Sequence, residues 1–191
     1  MSWLLVNFKI CLQALNRFKE LYFVEINSVV LNPEVYRSDA DKIANWLSDE
    51  EIVSYLNEDN NARKNLINVV NRINISILTH LFNNNCRFFT IKNMYGTIGF
   101  LRLVPKGETV EIVIAVGEKD LWGKGIGHNA VIEALKVAFF EMRSEKVVAK
   151  IKQTNKRSQN LFKGIGFKEV KKLQKEIEYH ITKEIFLKKV A

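Results

Sequence analysis

Three runs rich in β-branched and aromatic residues follow one another at residues 87–92, 97–104 and 109–116, with only short interruptions between them. Each has the length and composition of a strand, and the separators Met94-Tyr95-Gly96 and Pro105-Lys106-Gly107 carry turn residues. Connections this short join antiparallel neighbours, so the expected centre of the fold is an antiparallel meander. The order of elements after it narrows the choice further. Residues 124–142 read as a helix, 146–152 as a strand, 156–163 as a short helix, and 167–173 and 177–187 as two more strands.

Helical spacing dominates before the meander. Leu12, Leu15, Phe18, Leu21 and Tyr22 form an apolar stripe that must pack on the sheet or on another subunit, which leaves a homodimer open. Residues 24–31 read as a strand ended by Asn32-Pro33, because proline has no amide to donate to a ladder. Ser38 is a candidate cap for a helix carrying Ile43, Ala44 and Leu47, and Ser48 with Glu51 suggests a capping box for a second. A longer amphipathic helix is expected over residues 62–82, ended by Asn83-Asn84-Asn85. The sum is an α/β fold with one domain at 23–191, a mixed, mostly antiparallel sheet of about seven strands flanked by helices, and a helical extension at 1–22.

Composition excludes several classes of function. No apolar run reaches the roughly 18 to 20 residues of a membrane helix, and Asn7 and Lys9 interrupt the apolar N-terminus, which no basic region precedes. The expectation is a cytoplasmic protein without a signal peptide. Cys11 and Cys86 stand far apart without ligand-spaced histidines, so neither a disulfide framework nor a metal site is expected. The net charge of +8 is concentrated at residues 143–191, which carry 14 Lys and Arg against 5 Asp and Glu. Such basicity suits a phosphorylated cofactor, nucleic acid or an acidic protein, although scattered lysines on a solvated face are its commonest meaning. No aromatic and basic interleaving or recognition helix points to nucleic acid.

Chemistry concentrates where the third meander strand meets Leu121-Trp122-Gly123-Lys124-Gly125-Ile126-Gly127-His128 and the helix beyond. A strand, a glycine turn and a helix N-terminus in that order present main-chain amides and a positive dipole end to an anion. No Gly-Lys-Ser/Thr closes the turn, which excludes a nucleoside-triphosphate loop. Gly125-x-Gly127-x-x-Ala130 matches a variant dinucleotide fingerprint, but the strand ends a meander instead of opening a βαβ repeat, and no acidic residue stands where ribose would be bound. On its own the turn serves a structural role as readily as a ligand.

The glycine turn, followed about thirty residues later by an asparagine turn, a short helix and a Gly-Phe exit at Asn155-Lys156-Arg157-Ser158-Gln159-Asn160-Leu161-Phe162-Lys163-Gly164-Ile165-Gly166-Phe167, resembles the GNAT N-acetyltransferase superfamily. The style of Trp-Gly-Lys-Gly-Ile-Gly is similar to branches that act on ribosomal-protein N-terminal alanine or on small amines. The resemblance implies acetyl-CoA as cosubstrate, no metal, and direct attack by a primary amine of a small molecule or peptide. It implies that Trp122, Gly123, Lys124, Gly125, Ile126, Gly127 and His128 hold the CoA pyrophosphate. It further implies that the backbone of Ile114, Ala115 and Val116 pairs with the pantetheine arm, and that Asn155 and Ser158 contact the same arm.

Two departures bear on catalysis. Trp122 stands where the family pattern has Arg or Gln, and Phe162 stands where many relatives carry a tyrosine acid. Thiolate protonation then falls to solvent, Ser158 or a residue from elsewhere; the alternative is a GNAT-fold acyl-CoA-binding module without turnover. Glu111 is the candidate base because it lies on the strand beside the expected thioester, although a strand glutamate is also an ordinary exposed residue. His128 is read as a neutral surface residue or a phosphate contact, and His80 and His180 as structural. Lys124, Lys152, Lys156 and Arg157 are expected around the phosphates. Asp49, Glu50, Glu51, Glu58 and Asp59 are expected either to attract a cationic amine or to serve helix dipoles.

Overall fold

The computed structural model describes residues 28–56 and 61–190. The N-terminal stripe, the start of the 24–31 strand, Glu58 and Asp59 lie outside the described residues. The strands are β1 (Val30–Asn32), β2 (Arg87–Asn93), β3 (Gly96–Lys106), β4 (Thr109–Val116), β5 (Lys146–Lys152), β6 (Lys168–Lys172) and β7 (Glu176–Thr182). The helices are α1 (Arg37–Trp46), α2 (Glu50–Val53), α3 (Ala62–Arg72), α4 (Thr79–Phe82), α5 (Ile126–Lys136), α6 (Lys156–Ile165) and α7 (Lys183–Val190). One sheet contains all seven strands in the order β1-β2-β3-β4-β5-β7-β6. Every neighbouring pair is antiparallel except β4 and β5. The meander therefore forms as its turn residues require, and the crossover through α5 supplies the single parallel contact.

Alternation along the strands divides the core in two. Val110 and Ile112 on β4, Val147, Ala149 and Ile151 on β5, and Ile177, Tyr179 and Ile181 on β7 pack with α5, whose Ala130, Val131, Ala134 and Leu135 are fully buried at helical spacing. The opposite face presents Phe88, Phe100 and Ala115 to Ile43 and Trp46 of α1, Ile52 of α2, and Leu56. Each such side chain stabilises the fold by about 1.5–3 kcal/mol when fully buried. Gly117 allows this cover to close, because a Cβ there would lie 2.0 Å from the Trp46 ring.

Several local expectations are corrected. The helix expected over 62–82 ends at Arg72 and resumes only as the short α4. The intervening Ile73-Asn74-Ile75-Ser76-Ile77 alternates β-branched and polar residues, which favours extended backbone. Ile77 accordingly bridges Tyr36, and the Arg37 guanidinium takes the carbonyls of Val70 and Ile73 that a continuing helix would have used. Ser38 lies inside α1; Asp39 instead closes its first turn, accepting from the Tyr36 amide at 2.9 Å and from the Thr97 hydroxyl at 2.5 Å. The cap of α2 is Asp49, one residue after Ser48, and it accepts from the amides of Glu51 and Ile52. The strand expected over 177–187 stops at Thr182, and α7 follows, burying Phe186 against Phe139.

Candidate active site

The parallel contact between β4 and β5 is short. It runs through Thr109 with Lys146, Val110 with Val147 and Glu111 with Val148, and then stops. From Ile112 onward β4 remains paired with β3 on one side only. Its other edge opens into a cleft of about 500 Å³ bordered by Ile112, Val113, Ile114, Ala115 and Val116 on one side and by Ala149, Lys150 and Ile151 on the other. A strand edge with unclaimed amides and carbonyls is a template for an extended ligand carrying amide groups.

The glycine turn closes one end of this cleft. Gly123 and Gly125 adopt left-handed φ values of 77° and 86°, which point successive amides the same way without the Cβ strain another residue would meet. The Trp122 amide reaches Lys119 O at 2.9 Å, and Asn129 is the first residue of α5 to bond back, to Gly125 O at 3.0 Å. Among the described residues, the amides of Gly123, Gly125, Ile126, Gly127 and His128 have no backbone acceptor. Orphan donors at the start of an eleven-residue helix form an anion seat. Gly127 has a second task, since a Cβ there would fall 2.7 Å from Leu161 Cδ1 and push α5 off α6.

Trp122 is pinned across the end of β4, its Nε1 donating to Val116 O at 2.8 Å. The Arg157 guanidinium lies 3.6 Å from the centre of the Trp122 ring and 5.8 Å from that of Tyr55. That stack places a cation beside the amide seat. Asn155 is buried and accepts from the Ser158 amide at 3.0 Å, capping α6. Ser158 and Phe162, four residues apart on one helix face, both border the cleft. Phe162 is 3% exposed and meets Phe167 edge to face at 4.8 Å.

At the other end Glu111 and Lys150 form an ion pair at 3.1 Å. The Glu111 carboxylate holds the Lys150 ammonium above its ordinary value, with Glu178 and Glu176 adding to the effect. The pairing uses Oε2 of the Glu111 carboxylate. Among the described residues it is the one carboxylate on the cleft wall.

Comparisons with known proteins show the family and the fold. The model of the acetyltransferase (GNAT) domain family matches residues 29–168. The chain belongs to this GNAT family. It is accordingly an acyl-CoA-dependent N-acetyltransferase by class. The uncharacterized N-acetyltransferase p20 of Bacillus licheniformis is 24% identical over 133 residues, covering 68% of this chain and 73% of its own. Spermidine N-acetyltransferase from Vibrio cholerae, solved with CoA and spermine, superposes with a TM-score of 0.69 at 21% identity, covering 83% of this chain and 98% of that one. A domain from Methanocaldococcus jannaschii superposes with a TM-score of 0.67 at 22% identity, covering 81% of this chain and 98% of its own.

Most residues singled out by the GNAT resemblance converge. Ile114, Ala115 and Val116 border the cleft, as do Trp122, Gly123, Gly125, Ile126, Gly127 and His128. Glu111, Asn155 and Ser158 border it too. Lys124 does not; it is exposed at the tip of the turn. Of the other cations expected near the phosphates, Arg157 alone is on the cleft wall. Lys152 instead donates to Ser54 O at 2.9 Å, and Lys156 is exposed away from the wall. Tyr55, Arg102, Lys106 and Lys150 are cleft residues that sequence reasoning did not single out. Their signal was available only as strand register, because Arg102 faces Val113 and Lys106 faces Thr109 across β3 and β4. In this GNAT chain no helix among the described residues is long and apolar enough to cross a membrane.

Proposed function

We propose that this enzyme transfers the acetyl group of acetyl-CoA to a primary amine. The observation that carries the proposal is the conjunction of the free β4 edge with five unclaimed amides at its end. The amides of Gly123, Gly125, Ile126, Gly127 and His128, with Arg157 beside them, suit a diphosphate. The edge at Ile114 and Ala115 suits the pantetheine amides, and Asn155 and Ser158 flank the same path. The Vibrio cholerae neighbour, solved with CoA, supports this placement.

Bound acetyl-CoA supplies an acyl thioester, and the residues of the chain handle protons. An amine attacks only when uncharged, so a base must take its proton, and Glu111 stands at the point where β4 leaves β5. The Lys150 ammonium orients that carboxylate. Ser158 offers a hydroxyl to the leaving sulfur on the helix face where Phe162 offers none. The test is CoA thiol release across a panel of amines, with acetyl-CoA affinity measured separately. Turnover by the native chain and a loss of about 100-fold in kcat/KM for Glu111→Gln, with acetyl-CoA affinity retained, are expected. Saturable CoA binding with no thiol released from any amine would instead identify a binding module, the reading that Phe162 favours.

A further inference from the structure

The wall of the cleft far from the amide seat has a charge pattern that selects among amines. On one face of the sheet Glu111 stands opposite Val104, and the register puts Arg102 and Lys106 on the same face of β3, one pair to either side. Diagonal cross-strand neighbours of this kind lie about 7–8 Å apart. Lys150 approaches Glu111 from β5 at 3.1 Å. One carboxylate is therefore ringed by three cations, all of them on the cleft wall. The Arg102 Nε is shielded from solvent.

These cations are too far along the strand to serve the diphosphate. Glu111 precedes Val116 by five residues, about 17 Å of extended strand, and the amide seat lies beyond Val116. Two of the acids that could draw a polycation are engaged elsewhere. Asp49 and Glu51 hold Lys119 at 2.7 and 2.8 Å, and neither borders the cleft.

We infer that the acceptor is a primary amine that also carries a carboxylate or phosphate group, its nitrogen at Glu111 and its anion held by Arg102 and Lys106. Lys150 pairs with Glu111, while Glu178 and Glu176, which also act on Lys150, do not border the cleft; the charges left on the wall at this end, Arg102 and Lys106, are both positive. A polyamine meets repulsion there. An anionic group within a few bonds of the amine meets the long side chains of Arg102 and Lys106, which flank Val104 on one face of β3. The inference rests on the acetyl-transfer reading above and deepens it.

Matched amines decide it: phosphoethanolamine against ethanolamine, β-alanine against propylamine, and spermidine, compared by thiol release with acetyl-CoA. The expected result is a kcat/KM ratio of about tenfold or more in favour of an anionic member. The ratio falls toward one in Arg102→Gln and Lys106→Gln and is kept in Arg102→Lys, with each variant's thermal melting confirming that it folds. The phosphate and carboxylate pairs separate the two anion types. Equal rates within both pairs, or spermidine as the best acceptor, overturn the inference while leaving acetyl transfer intact. If no amine releases thiol, the transfer reading fails by itself. Calorimetric titration of the same pairs into the CoA-saturated protein then decides the inference, supported by binding of the anionic members alone and overturned by equal binding within the pairs.

Discussion

Trp122 is fastened to Val116 by its indole Nε1, which donates to the Val116 carbonyl at 2.8 Å, so the turn that carries the amide seat is tied to the end of the strand leading into it. Arg157 covers the same ring at 3.6 Å and brings α6 into the arrangement. A cation from another helix thus lies over the ring that stands where the family pattern has Arg or Gln. Trp122→Phe keeps an aromatic surface for Arg157 but removes the donor and leaves the Val116 carbonyl open. A stability loss of about 1–2 kcal/mol in urea unfolding is expected, with several-fold weaker CoA binding by calorimetry.

Gly125→Ala isolates the backbone contribution. A Cβ at this position meets nothing within 4 Å, so any effect comes from the left-handed φ of 86° and not from a clash. Holding alanine there costs about 1–2 kcal/mol. Relaxing toward an ordinary φ would turn the amides of Gly125 and Ile126 away from the cleft. Acetyl-CoA affinity should fall at least about tenfold. Gly164→Ala is the contrasting variant: it too has open space, with no positive φ, within α6. It should be neutral or slightly stabilising, since alanine is favoured over glycine in a helix by roughly 1 kcal/mol.

Much of this architecture was legible because local chemistry and tertiary packing agree. The meander boundaries hold within about two residues, and β5 spans 146–152 as the alternation of Val147, Ala149 and Ile151 requires. The glycine turn and the Asn155 cap were readable because each depends on a few adjacent residues. Where distant groups decide the outcome, the reading failed. Ile73 and Ile77 fit a helical stripe on paper, yet Arg37, far away in the chain, captures the carbonyls that such a helix needs. Lys183-Glu184-Ile185-Phe186 reads as a continuing strand until Phe186 finds Phe139 across the fold. The basic ring around Glu111 was hidden for the same reason, since Arg102, Lys106 and Lys150 become neighbours only through register.

The Glu111 and Lys150 pair has a pH signature of known sign. Lys150 is raised above its ordinary value near 10.5, chiefly by the hydrogen bond from its ammonium to Glu111. A raised lysine contributes stability that is fully present below its unfolded pKa and is lost as pH rises through the folded value. Because Lys150 is largely solvated, the contribution is small. The native chain should therefore melt slightly higher than Glu111→Gln at neutral pH. The gap should stay constant below the ordinary lysine range and close as pH rises through the raised Lys150 value. A gap that widened on the alkaline side would contradict the pairing.

Phe162→Tyr asks whether the missing acid limits the reaction. Phe162 borders the cleft, and its ring is fixed edge-on to Phe167 at 4.8 Å, four residues along the helix from Ser158. A phenol on that ring adds one polar atom to a site only 3% exposed. If the hydroxyl faced the core, an unpaired polar group would cost about 1–3 kcal/mol. Because the ring borders the cleft, the hydroxyl is expected to face it, beside the path proposed for the leaving sulfur. The expected outcome is a loss of under about 1 kcal/mol on urea unfolding, together with a several-fold rise in kcat and an unchanged KM for acetyl-CoA. A rise in kcat that required Ser158 as well, tested in Phe162→Tyr with Ser158→Ala, would show the two hydroxyls acting in one relay. A rise that survived Ser158→Ala would show the new phenol protonating the thiolate by itself. An unchanged kcat with native stability would place the slow step before thiolate departure, at proton removal by Glu111 or at acceptor binding.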